Sequence, residues 1–331
     1  MTTRVISSIL CLVILVVAAC NAPPTAIVSP AMPTVNPKKT YQDLVVGFTQ
    51  TGAESDWRYV QTASMKETAK QLGVKLKFRD GQCVQENQVK ALRTFIAEGV
   101  DVIGLVPMVT SGWDKVFQEA KKAGIPIIII DRYTDASEDL YQTRLASDFV
   151  KEGRKAGQIL TKLMNGQANI VELAGTPGSS PAKDRGQGFR DALQAYPQMK
   201  IIASKTGDFN RMEGKAVMAD LLKQYGNRIN ALYAHNDDMA IGAIQAIEEY
   251  GLKPGTDIKI VSIDATRSAF EAMAEGKLNA TIECNPLIGP QFYELALKIA
   301  NGDDVPRFVS VEEGIFDDPT KAEELLPTRK Y

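Results

Sequence analysis

Histidine and cysteine are scarce. One histidine, His235, and four cysteines stand in 331 residues, with no spacing that would assemble a metal centre. Cys11 and Cys20 fall in or at the end of an apolar leader. That leaves Cys83 and Cys284, too few for a disulfide framework, and the sequence leaves their pairing open. No Gly-x-Ser-x-Gly elbow accompanies His235, which argues against a nucleophilic triad and for a structural residue at a strand end. Gly175-Thr176-Pro177-Gly178 lacks the Gly-Lys-Ser/Thr end of a phosphate-binding loop and reads as a turn after a strand. Neither sign of charge dominates: 38 Lys and Arg face 40 Asp and Glu, a formal net charge of -2. With these residues scattered, no patch points to nucleic acid and no run to an acidic tail. No cofactor and no metal are expected.

The chain opens on a targeting segment. Arg4 supplies a thin positive start, and Val5 to Ala19 is mostly apolar but too short for a comfortable membrane span. Val17-Ala18-Ala19-Cys20 resembles a bacterial lipoprotein lipobox. That resemblance implies a signal peptide at 1–19, cleavage before Cys20 and lipid on its sulfur. The protein would then be exported, extracytoplasmic and held to the membrane by this anchor. The alternative is an ordinary secretory signal with a cysteine at its cleavage site. Residues 20–40 carry Pro23, Pro24, Pro30, Pro33 and Pro37 with little apolar clustering, as in a semi-extended linker.

The remaining chain is too long for one ordinary core, and its 44% hydrophobic content suits a globular protein of about two domains. Strand and helix patterns alternate from Leu44. Apolar segments at 44–48, 75–78, 102–106 and 125–130 read as strands, and 57–72, 85–98 and 113–123 as helices. Gly73, Gly99 and Gly124 close the three helices. The pattern restarts after 146–148, with helices at 149–164, 182–196, 211–225 and 238–250 and strands at 169–173, 200–205, 231–234 and 258–263. Alternation of this kind predicts an α/β fold of two similar doubly wound parallel-sheet lobes.

Ile125-Pro126-Ile127-Ile128-Ile129-Ile130 is an unbroken run followed at once by Asp131-Arg132. Such a run suits a strand buried on both faces, and ligands of open α/β sheets bind beyond the carboxyl ends of such strands. Asp131 and Arg132 are therefore either a strand-end ion pair or ligand contacts. Similar groups follow other strands: Glu54, Ser55, Trp57 and Arg58 in the first half; Asp184-Arg185, Asn236-Asp237-Asp238 and Asp264 in the second. Facing carboxyl edges would form a cleft. A sugar suits it, since each hydroxyl donates once and accepts twice, and an indole face can stack on a sugar ring. Trp57 can equally be a core aromatic, and Asn236 a helix cap. Asp131 and Asp264 can also be drawn as the carboxylate pair of a glycosidase.

Longer motifs carry a resemblance. They are Val46-Gly47-Phe48-Thr49-Gln50, Glu54-Ser55-Asp56-Trp57-Arg58, Asp80-Gly81-Gln82 with Gln85-Glu86-Asn87-Gln88, Asp131-Arg132, Val171-Glu172-Leu173, Asp184-Arg185 and Tyr233-Ala234-His235-Asn236-Asp237-Asp238-Met239. From Val45 to Arg329 the chain resembles the type I periplasmic sugar-binding family, the ribose- and galactose-binding type. Within it the chain resembles most the galactofuranose-binding members that serve bacterial ABC importers.

The resemblance implies three crossovers between lobes, near Ser147, Ile282 and Phe308. One lobe would comprise 41–146 and 283–307, the other 147–282 and 308–331. It implies ligand contacts from Glu54, Ser55, Trp57, Arg58, Asp131, Arg132, Arg185, Asn236, Asp264 and Glu283. It also implies a monosaccharide ligand, a permease and its ATPase as partners, a monomer, and no enzymatic activity. Asp56, where a small glycine is usual, Pro181, Lys183 and Cys284-Asn285 depart from the pattern. A sugar-sensing receptor for a chemotaxis or kinase partner would use the same binding event, and a sugar hydrolase the same residue types. A transcription regulator of this fold would need a helix-turn-helix where the leader and linker stand.

Overall fold

Four consecutive isoleucines, Ile127–Ile130, form a strand with every residue buried. Burying each such side chain stabilises the fold by roughly 1.5–3 kcal/mol, so this strand belongs at the centre of a sheet covered on both faces. The computed structural model describes residues 1–3 and 37–331. The expected signal peptide, Cys20 and most of the Pro-rich linker lie outside the described residues.

Lys38–Tyr331 form one unit. Its elements are β1 Val45–Gln50, α1 Asp56–Leu72, β2 Lys75–Asp80, α2 Gln85–Ala97, β3 Val102–Leu105, α3 Asp114–Lys122, β4 Ile127–Ile130 and β5 Thr143–Ala146. Then come α4 Phe149–Leu163, β6 Gln167–Ala174, α5 Ser180–Leu193, β7 Gln198–Thr206, α6 Arg211–Tyr225, β8 Ala231–Ala234, α7 Asp237–Glu249, β9 Lys259–Asp264, α8 Arg267–Ala274 and β10 Ala280–Glu283. Last are α9 Gly289–Ala300, β11 Phe308–Ser310, β12 Ile315–Phe316 and α10 Pro319–Leu325. Among the described residues no helix is long and apolar enough to cross a membrane.

Two six-stranded sheets result, ordered β11-β5-β4-β3-β1-β2 and β12-β10-β9-β8-β6-β7. Every ladder is parallel except that between β12 and β10. Each sheet winds outward in both directions from its first strand, so each has a switch point where a ligand crevice opens. Helix ends follow local chemistry. Ser55, Asp148, Asn210, Asn236 and Thr266 cap α1, α4, α6, α7 and α8 by accepting a backbone N–H. Gly73 ends α1 in the left-handed conformation that a side chain resists.

Three boundaries expected from sequence need correction. Glu283 pairs with Asp264 in the second sheet, so the second crossing begins after it, at Cys284, and not at residue 283. β11 pairs with β5 in the first sheet, while β12 pairs with β10 in the second. The third crossing therefore runs through 311–314 rather than near Phe308. The linker drawn to residue 40 also ends sooner. The Lys39 amide donates to Asn301 Oδ1 at 2.7 Å and its ammonium to Asp101 at 2.6 Å, while Lys38 pairs with Asp303 at 2.8 Å.

β5, α8, β10, α9, β11, β12 and α10 carry no sequence signal that reads as an element. β5 shows why. It is four residues long and carries Arg144, whose guanidinium sits over the Tyr133 and Phe308 rings.

Candidate functional site

The turn from β1 into α1 presents Glu54, Ser55, Trp57 and Arg58, and the end of β4 presents Asp131 and Arg132. These six side chains are buried. Glu54 Oε1 accepts from Arg58 Nε and Nη2, at 3.1 and 3.0 Å, and from Arg132 Nη2 at 2.5 Å. Arg58 Nη1 lies 2.8 Å from Asp131 Oδ2. Two guanidiniums and two carboxylates thus form one neutral network. Burial alone would raise the Glu54 carboxyl, but the Arg132 and Arg58 charges hold it below its ordinary value. Glu54 Oε2 and Arg132 Nε are buried without a protein partner, an acceptor and a donor still to be satisfied.

The second lobe answers from α5, β8 and β9. Arg185 donates to Glu152 Oε2 and to the His235 carbonyl, each at 2.7 Å, and lies 3.6 Å from Asp264 Oδ1. Burial pushes the Asp264 carboxyl well up, with Arg185 opposing. Asp131 (φ 60°) and Asp264 (φ 127°) both hold positive φ at their strand ends. Backbone strain of this kind costs about 1–3 kcal/mol and gathers at functional sites.

One cavity collects these groups. It is lined by Glu54, Ser55, Trp57, Arg58, Asp131, Arg132, Arg185, Asn236 and Asp264, with Pro181, Phe209 and Cys284. Glu283, expected beside them, is elsewhere. Its carboxylate accepts from Arg329 at 3.0 Å, Tyr331 at 2.5 Å and the Gly314 amide at 2.8 Å, so it ties the C-terminal segment to β10.

Two residues serve more than one end. Trp57 lines the cavity, yet it packs into the second lobe's core and its indole N–H donates to the Cys284 carbonyl. Asn236 caps α7 through Oδ1 and donates Nδ2 to the Phe209 carbonyl at 3.1 Å. His235 is structural: buried, with Nε2 3.1 Å from Glu172 Oε1. Cys83 and Cys284 are both free, one exposed and one buried. Phe209 was missed. It holds φ 59°, and its ring lies 5.5 Å from the Arg132 guanidinium and 6.0 Å from that of Arg185, one from each lobe. Its place just past β7, in Gly207-Asp208-Phe209-Asn210, was the available signal.

Contacts also close the mouth of the cleft. Tyr133 donates its hydroxyl to Asp184 at 2.9 Å and its amide to Ser180 Oγ at 2.9 Å. The Thr110 amide donates to the Gly178 carbonyl at 3.1 Å. The Asp56 amide donates to Asp238 Oδ2 at 2.9 Å.

A model of the periplasmic binding protein domain matches residues 46–304. The chain belongs to that family. This binding protein is 44% identical over 292 residues to the galactofuranose-binding protein YtfQ of Escherichia coli, covering 87% of this chain and 92% of the relative. A Mycobacterium smegmatis crystal structure in complex with β-D-fucofuranose superposes with a TM-score of 0.84 at 48% identity, over 87% of this chain and 95% of that one. The periplasmic binding protein component of the arabinose ABC transporter from Shewanella sp. ANA-3, bound to α- and β-L-arabinofuranose, gives 0.84 at 45% identity, over 86% and 95%. The Escherichia coli and Shewanella relatives are binding proteins rather than enzymes, so Asp131 and Asp264 line the cleft of a binding protein and not of a glycosidase.

Proposed function

We propose that this binding protein is the extracytoplasmic receptor of a sugar ABC importer, that it closes its two lobes around one monosaccharide in furanose form, and that it delivers the sugar to a membrane permease and its ATPase. The observation that carries the reading is the convergence of Glu54, Arg58, Asp131 and Arg132 from one lobe, and Arg185 and Asp264 from the other, on one small cavity. Fixed donors and acceptors of both kinds address hydroxyls, and charged partners make those bonds strong. A neutral set of charges also avoids selecting an ionic ligand.

Support for the ring form comes from the three relatives, whose ligands are a galactofuranose, a fucofuranose and an arabinofuranose. D-galactose, D-fucose and L-arabinose share their configuration at carbons two to four, so a cleft that recognises the furanose ring oxygen and the hydroxyls of carbons two and three would accept all three. Lipid anchoring through Cys20 would keep the receptor beside its permease. A folded-state ligand must raise the melting temperature. A thermal-shift screen should therefore show stabilisation by D-galactose, D-fucose or L-arabinose and none by D-glucose. Stabilisation by no monosaccharide would overturn the reading.

A further inference from the structure

Behind the cleft, the three segments that join the lobes come together. Ser147 belongs to the first crossing, Cys284 to the second and Glu313 to the third. Ser147 Oγ lies 3.5 Å from Cys284 Sγ. Oxygens of Glu152 and Glu313 and the Cys284 sulfur all lie within 4.8 Å of one another. Glu152 is fully buried on α4, and its Oε2 holds the Nε of Arg185 at 2.7 Å. Its other oxygen, Oε1, is buried with no hydrogen-bond partner, and so is Oε1 of Glu313.

Two carboxyls that face each other, one fully buried and one half-buried, cannot both ionise cheaply, and each orphaned acceptor carries a cost of its own. One proton between them removes both problems. A divalent cation is the other way to satisfy such a trio, but the Arg185 guanidinium already neutralises Glu152 from the opposite side.

We propose that Glu313 is a positioning residue for the cleft. It shares a proton with Glu152, which fixes the carboxylate that aims Arg185 at the ligand, and loss of that proton as pH rises loosens Arg185 and weakens sugar binding. The inference rests on the sugar-receptor reading above. Glu313 stands on the third crossing and Glu152 on α4, so the shared proton joins a crossing to the helix that carries the partner of Arg185. Facing groups agree with the assignment. Burial pushes the Glu313 carboxyl up to about 10, with the Glu152 charge adding to it and Ser147 and Arg185 opposing. Burial also raises Glu152, against Arg185. Asp264 from β9, Tyr233 from β8 and the Cys284 thiol are likewise pushed well up by burial. Glu283, Arg329 and Tyr331 flank the third crossing at Gly314. A carboxyl raised in the folded state gives stability that is full below its ordinary range and is lost as pH rises toward the folded value.

The test is the affinity for D-fucose from about pH 6 to about pH 10, spanning the ordinary and raised carboxyl values. Wild-type affinity should fall with rising pH, by at most about tenfold per pH unit for one linked proton. Glu313→Ala should bind weakly throughout. Glu313→Gln, which keeps a donor toward Glu152, should restore binding and remove the slope. A flat wild-type profile, or the same slope in Glu313→Gln, overturns the proposal. Zinc that stabilises the protein and abolishes the slope overturns it in favour of a cation. Failure to bind D-fucose at about pH 6 would instead strike the sugar reading. The pair is then tested without ligand, by the infrared band of a protonated carboxyl near neutral pH. The difference between the wild type and Glu313→Gln should contain one such band, and no difference between them overturns the proposal.

Discussion

Arg211 Nη2 lies 2.7 Å from Asp56 Oδ2, one residue on α6 of the second lobe and the other at the start of α1 in the first. The same guanidinium holds Asp238 at 2.6 Å, and Asp238 in turn accepts the Asp56 amide. Asp56 was singled out in the sequence as a charge where a small residue is usual. In the folded protein that charge is a latch across the mouth of the cleft.

The latch is partly exposed, with the Asp56 side chain 67% accessible, so its strength is that of a surface pair, about 0–1 kcal/mol. Asp56→Ala should leave the melting temperature nearly unchanged and speed sugar release by up to about fivefold, since only the closed form contains the contact. Stopped-flow release rates at low and high salt check this. The wild type should approach the variant as salt screens the pair.

Arg132 is almost fully buried and bonds Glu54 and the Met108 carbonyl. Arg132→Ala should weaken sugar binding by roughly 2–5 kcal/mol, the usual cost of truncating a buried charge-assisted partner. The fold should suffer less, because Glu54 keeps Arg58. Calorimetric affinity beside a urea midpoint separates the two effects, and unchanged affinity would count against the site.

Gly153 lets α4 and α5 touch. A Cβ there would stand 2.1 Å from the Arg185 carbonyl oxygen, with backbone rather than a flexible side chain in the way. Gly153→Ala should push α5 outward, destabilise the protein by about 1–3 kcal/mol as overpacking does, and displace Arg185. Urea unfolding should show the first effect and a weakened sugar affinity the second.

Asp237 accepts from Ser262, Thr281 and the amide and hydroxyl of Thr266. Burial nevertheless raises its carboxyl to about 6, these bonds opposing. Its contribution to stability is complete below the ordinary aspartate range and is lost as pH rises through about 6. Asp237→Asn aims an N–H at groups that already donate, so it should cost about 1–3 kcal/mol. It also removes the titration. The gap between wild type and variant should therefore narrow from about pH 4 to about pH 7, which chemical unfolding at both pH values measures.

Most of the fold was readable because each lobe repeats one rule: a buried apolar strand, a polar strand end, a helix and a closing glycine. The Ile127–Ile130 run and Asp131-Arg132 show that rule at its clearest, and Asn236 and Asp264 follow it in the second lobe, whereas Arg185 stands inside α5. The rule is local, and its failures are where distant chain segments meet. β11 and β12 are three and two residues long, so only their sheet partners decide which lobe each joins. Glu283 ends a strand like Asp264, yet the C-terminal Arg329 and Tyr331 claim its carboxylate. Phe209 and Glu152 enter the site or its support through tertiary contacts that no spacing records. The departure at Asp56 was visible, but its partner Arg211, 155 residues away, was not.

The central claim is that one monosaccharide occupies the cleft between Arg132 and Arg185. A calorimetric titration with D-fucose, beside the variant carrying both Arg132→Ala and Arg185→Ala, tests it most directly. Saturable one-to-one binding in the wild type and none in the folded double variant is the expected result. Absence of binding in the wild type, or equal binding in the two proteins, would contradict the account.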